Sequence, residues 1–488
     1  MVSDAAITRP LRIFVVVGLL LGVIVPLVVV SGGSERMAAA WVIQVVIVFH
    51  AGIMLARVLT STRLEVMQLA FWVFVYVWLA VAPLAMLTTD EYPWGLRVSG
   101  EVSFTASLVI ETGLLAYTAG SLFAERTHRD GGGLPTRLLS RELSLPRVLV
   151  LGVVALLLAG VLVPRLGGID SFFTSREAAS EAAREITGST GNAGTALLEW
   201  GLTVPAFWAL MGFIHVRRTG QPRDLRAAWL WLLVPVILLN VVVNNPISQP
   251  RFWAGTVLLT LLFTTTLMRS VRMFRIGGAA LLVVLVVFFP TADYFRTESR
   301  ETNDGGVAEQ FTANPDYDAY QQVQAGVLLV DEVGHQPKLA LGVPFFWVPR
   351  AAWPDKPEDA GVVIGKFVGY SFLNLSSPLW VESYIWAGLP LTAVAFAGLG
   401  GMSGWLDRVN HRYRHERSRV VGLVVPAVAF YQLILLRGSL LQAMAAFTLL
   451  AIIPFLVTRR SRPTSRGGGD HATGVDLAKV TIGFQGQR

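Results

Sequence analysis

Long runs of apolar residues recur along the whole of this 488-residue chain. A run of about 18 or more apolar residues is long enough to cross the hydrocarbon layer of a bilayer as one helix. Only 15% of the residues are charged, whereas soluble globular proteins average about a quarter. The runs therefore predict an all-α fold, a polytopic transmembrane helical bundle. They exclude an ordinary soluble enzyme, a coiled coil and a disordered chain.

The apolar runs divide into about twelve spans. They cover residues 13–31, 38–56, 66–86, 103–123, 147–164, 195–215, 227–244, 252–268, 276–290, 378–405, 419–436 and 438–457. The first run is long and no small-residue cleavage site follows it, so we expect a retained helix and not a signal peptide. The expected organisation is one integral-membrane domain over 1–458, with outer loops 166–194 and 291–377. A disordered, basic cytoplasmic tail over 459–488 follows it.

The basic residues are unevenly distributed between the two sides of these spans. If the N-terminus is cytoplasmic and the spans alternate, every inner segment is basic and most of the 40 Lys and Arg residues lie inside. Cytoplasmic loops of membrane proteins carry such an excess. The pattern predicts both termini in the cytoplasm, a multi-pass protein of the plasma membrane, and a large outer loop between spans 9 and 10. It also explains the net charge of +7 without nucleic acid as a partner.

Several common kinds of catalytic centre are absent from the sequence. The chain has no cysteine, which excludes disulfides, thiolate catalysis and iron–sulfur clusters. It contains no phosphate-binding loop of the GxxxxGK[ST] type, no HExxH and no GxSxG motif. Of seven histidines, His335 alone falls in an expected outer loop. We therefore expect no metal and no cofactor, and a reaction that is driven by its own substrate.

Arginines stand close to the expected outer ends of the spans. Arg251 lies in NNPISQPRFW, Arg296 and Arg300 in ADYFRTESRE, Arg350 in FFWVPRAAWPDKP, and Arg437 in ILLRGSLL. A charge in the apolar layer costs about 2.5–3.5 kcal/mol, so it usually faces a cavity or a partner. The guanidinium fork binds phosphate oxygens in pairs, and several arginines in one outer cavity would suit a lipid diphosphate. The alternative interpretation is pairing with acids nearby or snorkelling to the interface.

Carboxylates are the second candidate group. Glu382 lies in SSPLWVESYIWAGLP, at the outer mouth of the tenth span, and Asp355 precedes Lys356 in WPDKP. A carboxylate in such a place can take a proton from an attacking hydroxyl. The alternatives are that Glu382 offsets a helix dipole and that Asp355 pairs with Lys356. Glu111, inside the fourth span, is most simply a buried hydrogen-bonding partner. Two further acids lead an amphipathic helix in the large outer loop, Asp316 and Asp318.

Four segments of the second half of the chain follow one another in a characteristic order. They are NNPISQPRFW, FFWVPRAAWPDKP, SSPLWVESYIWAGLPLTAVAFAGLGG and LLRGSL. This order resembles the O-antigen polymerase and oligosaccharide repeat-unit polymerase family. That family has an arginine at an outer helix start, an iPR…wPxKP element, an S…P…E…G element opening a span, and an R-G-S hairpin. The resemblance covers mainly 240–255 and 344–440, and Trp386 departs from it by replacing an asparagine or a similar residue.

The resemblance implies a membrane glycosyltransferase that polymerises polyprenyl-diphosphate-linked oligosaccharide repeat units into a surface polysaccharide. Its active site would face the extracytoplasmic side. The substrate and membrane lipid would be its direct partners, with a chain-length regulator and a flippase as protein partners. The implied catalytic residues are Glu382, Asp355 and Arg350. The implied diphosphate-binding residues are Arg251, Arg296, Arg300, Arg437 and Lys356.

Three other functions stay open on the sequence. A ligase similar to the O-antigen ligases would use the same donor with a different acceptor, and His335 in the large outer loop is compatible with it. A flippase or transporter of lipid-linked saccharide would need charged residues along a path through the whole bilayer. A non-catalytic scaffold in a cell-wall assembly complex would tolerate the loss of the outer arginines.

Overall fold

A computed structural model of the chain gives the architecture. It describes residues 4–31, 39–127, 133–173, 192–219, 226–247, 249–288, 307–370, 372–373, 375–413, 415–416 and 418–460. Within these ranges the fold is helical apart from one short antiparallel pair, β1 (Glu142–Leu143) with β2 (Thr458–Arg459). The expected all-α class is confirmed.

The helices follow the apolar runs of the sequence. In chain order they are α1 (Asp4–Leu19), α2 (Val25–Val30), α3 (Ala39–Thr60), α4 (Val66–Phe74), α5 (Ala82–Thr89), α6 (Gly100–Arg126), α7 (Leu134–Leu139), α8 (Leu145–Arg165), α9 (Asn192–Thr219), α10 (Arg226–Val243), α11 (Arg251–Thr265), α12 (Val271–Val283), α13 (Val307–Ala313), α14 (Ala319–Val333), α15 (Lys338–Gly342), α16 (Ala360–Val368), α17 (Leu379–Tyr413), α18 (Val421–Arg437) and α19 (Leu440–Leu456). Wider π-helical turns join α1 to α2 and α4 to α5, so each pair forms one continuous helical rod.

Seven helical segments of the described chain are long and apolar enough to cross a membrane. They are Leu11–Val30, Ala39–Thr60, Val66–Thr89, Gly100–Arg126, Leu145–Arg165, Arg251–Arg269 and Leu379–Tyr413. Three shorter apolar helices accompany them, Trp229–Val243, Val421–Arg437 and Leu440–Leu456. A membrane-embedded helical protein is therefore confirmed in general form. The segment Val66–Thr89 is buried along its whole apolar window and forms the centre of the bundle.

The helices α6 and α17 lie in unusually close contact. A Cβ atom at Gly400 would overlap the backbone carbonyl of Tyr117, and one at Gly120 would overlap the carbonyl of Ala397. Apolar side chains gain little by leaving lipid, so membrane helices associate through close packing at small residues. These glycines therefore hold the middle of α17, after residue 390, closely against α6.

The helix α17 is broken near its N-terminal end. Ala387 and Gly388 leave the helical conformation, and Gly388 has a φ of 70°, which favours glycine. Pro390 follows, and it has no backbone N–H to donate to the preceding turn of a helix. The predicted single span 378–405 is therefore two helical pieces, and the short first piece carries Glu382.

The large loop between the ninth and tenth predicted spans enters the bundle. The indole nitrogen Nε1 of Trp78 donates a hydrogen bond of 2.8 Å to the backbone oxygen of Asp316. Trp78 stands eleven residues before Thr89, the end of its helical rod, which is about 16 Å along a helix. The loop is therefore folded structure that contacts this rod well away from the end of the rod at Thr89.

The expected outer loop 166–194 and the expected tail are described only in part. The structure covers 166–173 and 192–194 of the loop, and 459–460 of the tail. Arg459 belongs to strand β2 and pairs with Glu142 at 3.7 Å. The backbone at Arg459 is therefore paired with the rest of the fold, and residues 461–488 of the expected tail lie outside the described residues.

Candidate functional site

Two of the predicted arginines meet at one carboxylate in the interior of the bundle. The Arg251 guanidinium lies 2.5 Å from Asp316 Oδ2, and the Arg437 guanidinium lies 3.5 Å from Asp316 Oδ1. Arg437 also pairs with Asp318 at 3.3 Å. We call these four residues the arginine–aspartate cluster. The two arginine side chains are each 18% exposed, Asp316 is 22% exposed and Asp318 is 3% exposed, so the cluster opens to its surroundings on the Asp316 side.

The local sequence explains how each member reaches the cluster. Arg251 is the first residue of α11, after Pro250, and Arg437 is the last residue of α18, where a cation is favoured by the helix dipole. Asp316 sits in the 3-10 turn Pro315–Tyr317, whose start is capped by the Asn314 side chain. Asp318 is the N-cap residue of α14. Three helix ends and one tight turn thus fix the four charges.

Further contacts hold the Arg437 side chain in place. Its Nε donates a hydrogen bond of 3.1 Å to the backbone oxygen of Asp316. Its guanidinium lies 5.0 Å from the centre of the Phe252 ring, a distance at which a cation and an aromatic face attract. The guanidinium is therefore oriented by backbone, ring and carboxylates together.

Asp318, the more buried carboxylate of the cluster, also contacts polar residues outside the cluster. It accepts hydrogen bonds from Ser376 Oγ at 2.7 Å and from Trp94 Nε1 at 3.1 Å. Ser376 opens the segment SSPLWVE, which leads into α17. The cluster is thus tied directly to the segment that carries Glu382.

Glu382 lies in a buried polar pocket next to the cluster. Its side chain is only 1% exposed, and Oε1 accepts a hydrogen bond of 3.2 Å from the backbone nitrogen of Leu440, at the start of α19. Asp359, Ser377 and Ser439 lie around the same carboxylate. We call Asp359, Ser377, Glu382 and Ser439 the acid pocket. Ser439 also lies two residues after Arg437, so the R-G-S hairpin belongs to both groups.

The contacts of Glu382 bear on its two interpretations. The carboxylate satisfies the start of a helix, as the dipole alternative proposed, but the helix is α19 and not its own. Its burial keeps it from direct contact with a bulky ligand in this conformation. Asp316 is the carboxylate of the site with the greater access.

Arg350 and Lys356 stabilise their own loop. Arg350 Nη1 donates to the backbone oxygen of Lys356 at 2.8 Å, and Lys356 Nζ donates to the carbonyls of Phe346 and Val348 at 2.7 and 2.9 Å. Burial lowers the pKa of Lys356 below its ordinary value, and the neighbouring Arg350 lowers it further. Neither cation joins the arginine–aspartate cluster in this structure.

Asp355 stands on the exposed surface of the same loop. The ion pair expected between Asp355 and Lys356 is not formed, because the ammonium group is taken by the two backbone carbonyls. Within the described residues, no hydrogen bond or ion pair joins Asp355 to the cluster or to the acid pocket. Arg296 and Arg300, the two other predicted diphosphate ligands, lie outside the described residues.

The ionisable residues towards the other end of the bundle have partners. Glu111 lies 2.9 Å from His50 Nδ1, which confirms the expected hydrogen-bonding role. Arg57 donates to both oxygens of Glu125 at 2.7 Å. Asp407 accepts from two backbone nitrogens at the start of α4. These contacts have a structural explanation and do not by themselves form a transport path.

Two carboxylates of the site were not assigned from the sequence. The sequence indicates Asp316 only as the start of a loop helix, and it assigns no role to Asp359. The available signal for Asp359 was its place before AGVVIGKFV, because an aspartate in front of a helical pattern is a typical cap. Within the described residues, no group of three or more His, Asp or Glu side chains gathers as a metal centre.

The cluster has the groups of an anion-binding site in which the Asp316 carboxylate pairs with both cations. Two guanidinium groups converge on Asp316, and the same geometry would present several N–H donors to the oxygens of a phosphate or diphosphate. Comparison with protein-family models, with curated proteins and with solved structures finds no match to this chain.

Proposed function

We propose that this chain is an integral-membrane glycosyltransferase that polymerises polyprenyl-diphosphate-linked oligosaccharide repeat units into a surface polysaccharide. In this proposal it crosses the plasma membrane twelve times, with both termini in the cytoplasm, and works on the extracytoplasmic face. One observation carries the proposal. Three of the four segments that resemble the polymerase family come together in space, at Arg251, at 376–382 and at 437–439.

The convergence matters because the segments are far apart in the chain. Arg251 is 65 residues from Asp316, and Arg437 is 119 residues from Asp318. Local sequence preferences cannot bring such residues to one point, so the fold does it. A partly buried site assembled in this way from helix ends suits a ligand whose lipid part stays in the membrane.

The arginines supply the first part of the proposed mechanism. Arg251 and Arg437 bind the diphosphate of the donor and offset the negative charge that grows on the leaving group. Asp316 occupies both guanidinium groups in the ligand-free protein, so the diphosphate must displace it. After this exchange the two guanidinium groups are paired with the diphosphate, and the Asp316 carboxylate is released beside the bound donor.

The released carboxylate supplies the second part. The acceptor hydroxyl forms a bond to the anomeric carbon of the donor, the bond from that carbon to the diphosphate oxygen breaks, and the polyprenyl diphosphate leaves with the electron pair. Asp316 takes the hydroxyl proton. Glu382 is then a positioning residue, which fixes the start of α19 and with it the hairpin that bears Arg437.

A ligase is the second candidate function, and one observation favours it. His335 is exposed, and its Nδ1 lies 3.0 Å from the backbone oxygen of Tyr384, beside the break in α17. An exposed imidazole next to the piece of helix that carries Glu382 is well placed to serve a different acceptor. The two enzymes would share the donor site and differ in the acceptor. A chain-length regulator and a flippase are the protein partners that the polymerase proposal requires.

The saccharide profile of a deletion strain tests the proposal. Lipid-linked and surface saccharides are separated on a gel, and the strain is complemented with wild type, Arg251→Ala, Arg437→Ala or the control Lys366→Ala. Lys366 pairs with Glu358 on the exposed loop surface, away from the cluster. A polymerase predicts single repeat units without long chains in the deletion strain and in both arginine variants, with a normal profile for the control.

Other profiles contradict the proposal in identifiable ways. Lipid-linked polymer of normal length that never reaches its final acceptor would indicate a ligase. Repeat units held on the cytoplasmic leaflet would indicate a flippase. A normal profile after simultaneous loss of Arg251 and Arg437, with protein levels unchanged, would favour a scaffold.

A further inference from the structure

The acid pocket contains two buried carboxylates that lack a basic partner. Glu382 is 1% exposed and Asp359 is 8% exposed. In the part of the chain that the structure describes, neither forms an ion pair with Lys, Arg or His. Buried charges without compensation are strongly unfavourable. A proton or a bound cation must therefore compensate these two carboxylates.

Each carboxylate uses one oxygen to satisfy a helix start. Glu382 Oε1 accepts from the backbone nitrogen of Leu440 at 3.2 Å, and Asp359 Oδ1 accepts from that of Gly361 at 2.8 Å. These two bonds fix the orientation of both carboxylates. The second oxygen of each carboxylate takes no part in these two bonds.

The second carboxylate oxygens and the two serine hydroxyls of the pocket lack a completed hydrogen bond. Glu382 Oε2 and Asp359 Oδ2 complete no hydrogen bond, and neither do the hydroxyls of Ser377 and Ser439. Both hydroxyls lie beside the Glu382 carboxylate, and the Ser439 hydroxyl also lies beside that of Asp359. Ser377 and Ser439 are 0% and 4% exposed. Four buried oxygens that complete no hydrogen bond, two of them on carboxylates and two on hydroxyls, thus lie around one pocket, with Gln442 and the backbone nitrogen of Val362 also beside Asp359.

We propose that the acid pocket binds one divalent cation, Ca²⁺ or Mg²⁺, through Asp359, Ser377, Glu382 and Ser439. Oxygen-only ligand sets that include carboxylates are the ones these hard cations prefer. The charge of the ion matches the two carboxylates. The ligands come from separate stretches of the chain, so no metal motif marks the site in the sequence.

The proposed ion has a structural consequence. It joins the start of α16, the segment that leads into α17, and the start of α19. Ser439 stands two residues after Arg437, so an ion bound to Ser439 restrains the hairpin of the arginine–aspartate cluster. This proposal does not depend on glycosyl transfer, because it concerns binding and stability of the chain whatever reaction the chain performs.

Metal binding to the full chain in lipid nanodiscs tests the proposal directly. The protein is stripped with a chelator, and bound Ca²⁺ and Mg²⁺ are measured against concentration together with the midpoint of thermal unfolding. We expect saturable binding with a stoichiometry of one and a midpoint that rises with cation concentration. No binding of either ion up to millimolar concentrations, with a midpoint that is insensitive to chelation, would overturn the proposal and leave a shared proton as the compensating charge.

Variants separate this site from adventitious binding. Glu382→Gln keeps an oxygen for the Leu440 N–H and removes the charge, so it should fold and lose the cation response. Ser377→Ala, a milder change, should weaken cation affinity several-fold while keeping both carboxylates. The matched control is Asp355→Asn, which removes an exposed carboxylate from the same loop and should bind the cation normally. Equal loss of binding in Asp355→Asn, or full binding in Glu382→Gln, would contradict the assignment.

Discussion

The ion pair between Arg437 and Asp318 should contribute measurably to the stability of the fold. The pair has a distance of 3.3 Å, and the two side chains are 18% and 3% exposed. Solvent screening is weak at such a site, in contrast to surface pairs. The perturbation that isolates the pair is a double-mutant cycle with Arg437→Ala, Asp318→Asn and the double variant.

The structure sets the magnitude of the effect. Breaking a buried pair by removing one partner costs about 3–5 kcal/mol. Asp318 keeps hydrogen bonds from Ser376 and Trp94 when Arg437 is removed, so its charge stays partly compensated. We therefore expect Arg437→Ala to cost about 2–3 kcal/mol, at the level of a charge-assisted hydrogen bond. The coupling energy between the two positions should be about 1–2 kcal/mol.

The free energy of unfolding is measured by SDS titration of the full chain in mixed micelles, for the wild type and the three variants. A second cycle on Lys366 and Glu358 is the control. That pair is close, at 2.7 Å, but its side chains are 52% and 44% exposed, and exposed pairs contribute about 0.2–1 kcal/mol. The reasoning is refuted if the effects of Arg437→Ala and Asp318→Asn simply add, or if the exposed pair couples as strongly as the buried one.

Three further predictions concern packing, the loop and pH. Gly400→Ala places a methyl group against the backbone of α6 and should cost about 3 kcal/mol, whereas Gly398→Ala has open space and should leave the unfolding midpoint unchanged or higher. Lys356→Met removes an ammonium that donates to two carbonyls and should speed proteolysis of the loop, at a cost of about 2 kcal/mol, whereas Asp355→Ala should not. Burial raises the pKa of Asp359 above its ordinary 3.8, so without divalent cations the folded chain binds the proton more tightly than the unfolded chain. Stability should then rise as the pH falls through the raised pKa and level off below about 3.8, and Asp359→Asn should flatten the thermal midpoint over that range.

The helices could be predicted from the sequence because they depend on local patterns. Apolar runs fix where a membrane helix forms, and the predicted runs coincide in whole or in large part with described helices, whereas α7 and α13 to α16 lie outside them. The break in α17 was missed, although the sequence AGLP contains both Gly388 and Pro390. A glycine and a proline are common inside membrane helices, so their presence alone does not show that a helix is interrupted.

The site could be predicted only in part. Arg251 and Arg437 stood out because an arginine at an apolar helix end needs a partner, but the partner Asp316 is far from both in the chain. The loop residues Arg350 and Lys356 carry the same charge in an equally suggestive motif. Arg350 and Lys356 differ from the other two because they donate hydrogen bonds to backbone carbonyls of their own loop. These bonds depend on the folded shape of the loop.

Product analysis with the purified chain tests the central claim most directly. The protein is reconstituted in liposomes with a polyprenyl-diphosphate-linked oligosaccharide, and the lipid-linked products are separated by size. Our account predicts a ladder at whole multiples of the repeat unit, which disappears with Arg437→Ala and persists with Lys366→Ala. A substrate that stays a single unit with well-folded wild-type protein, or a ladder that is unchanged by the loss of both Arg251 and Arg437, would contradict it.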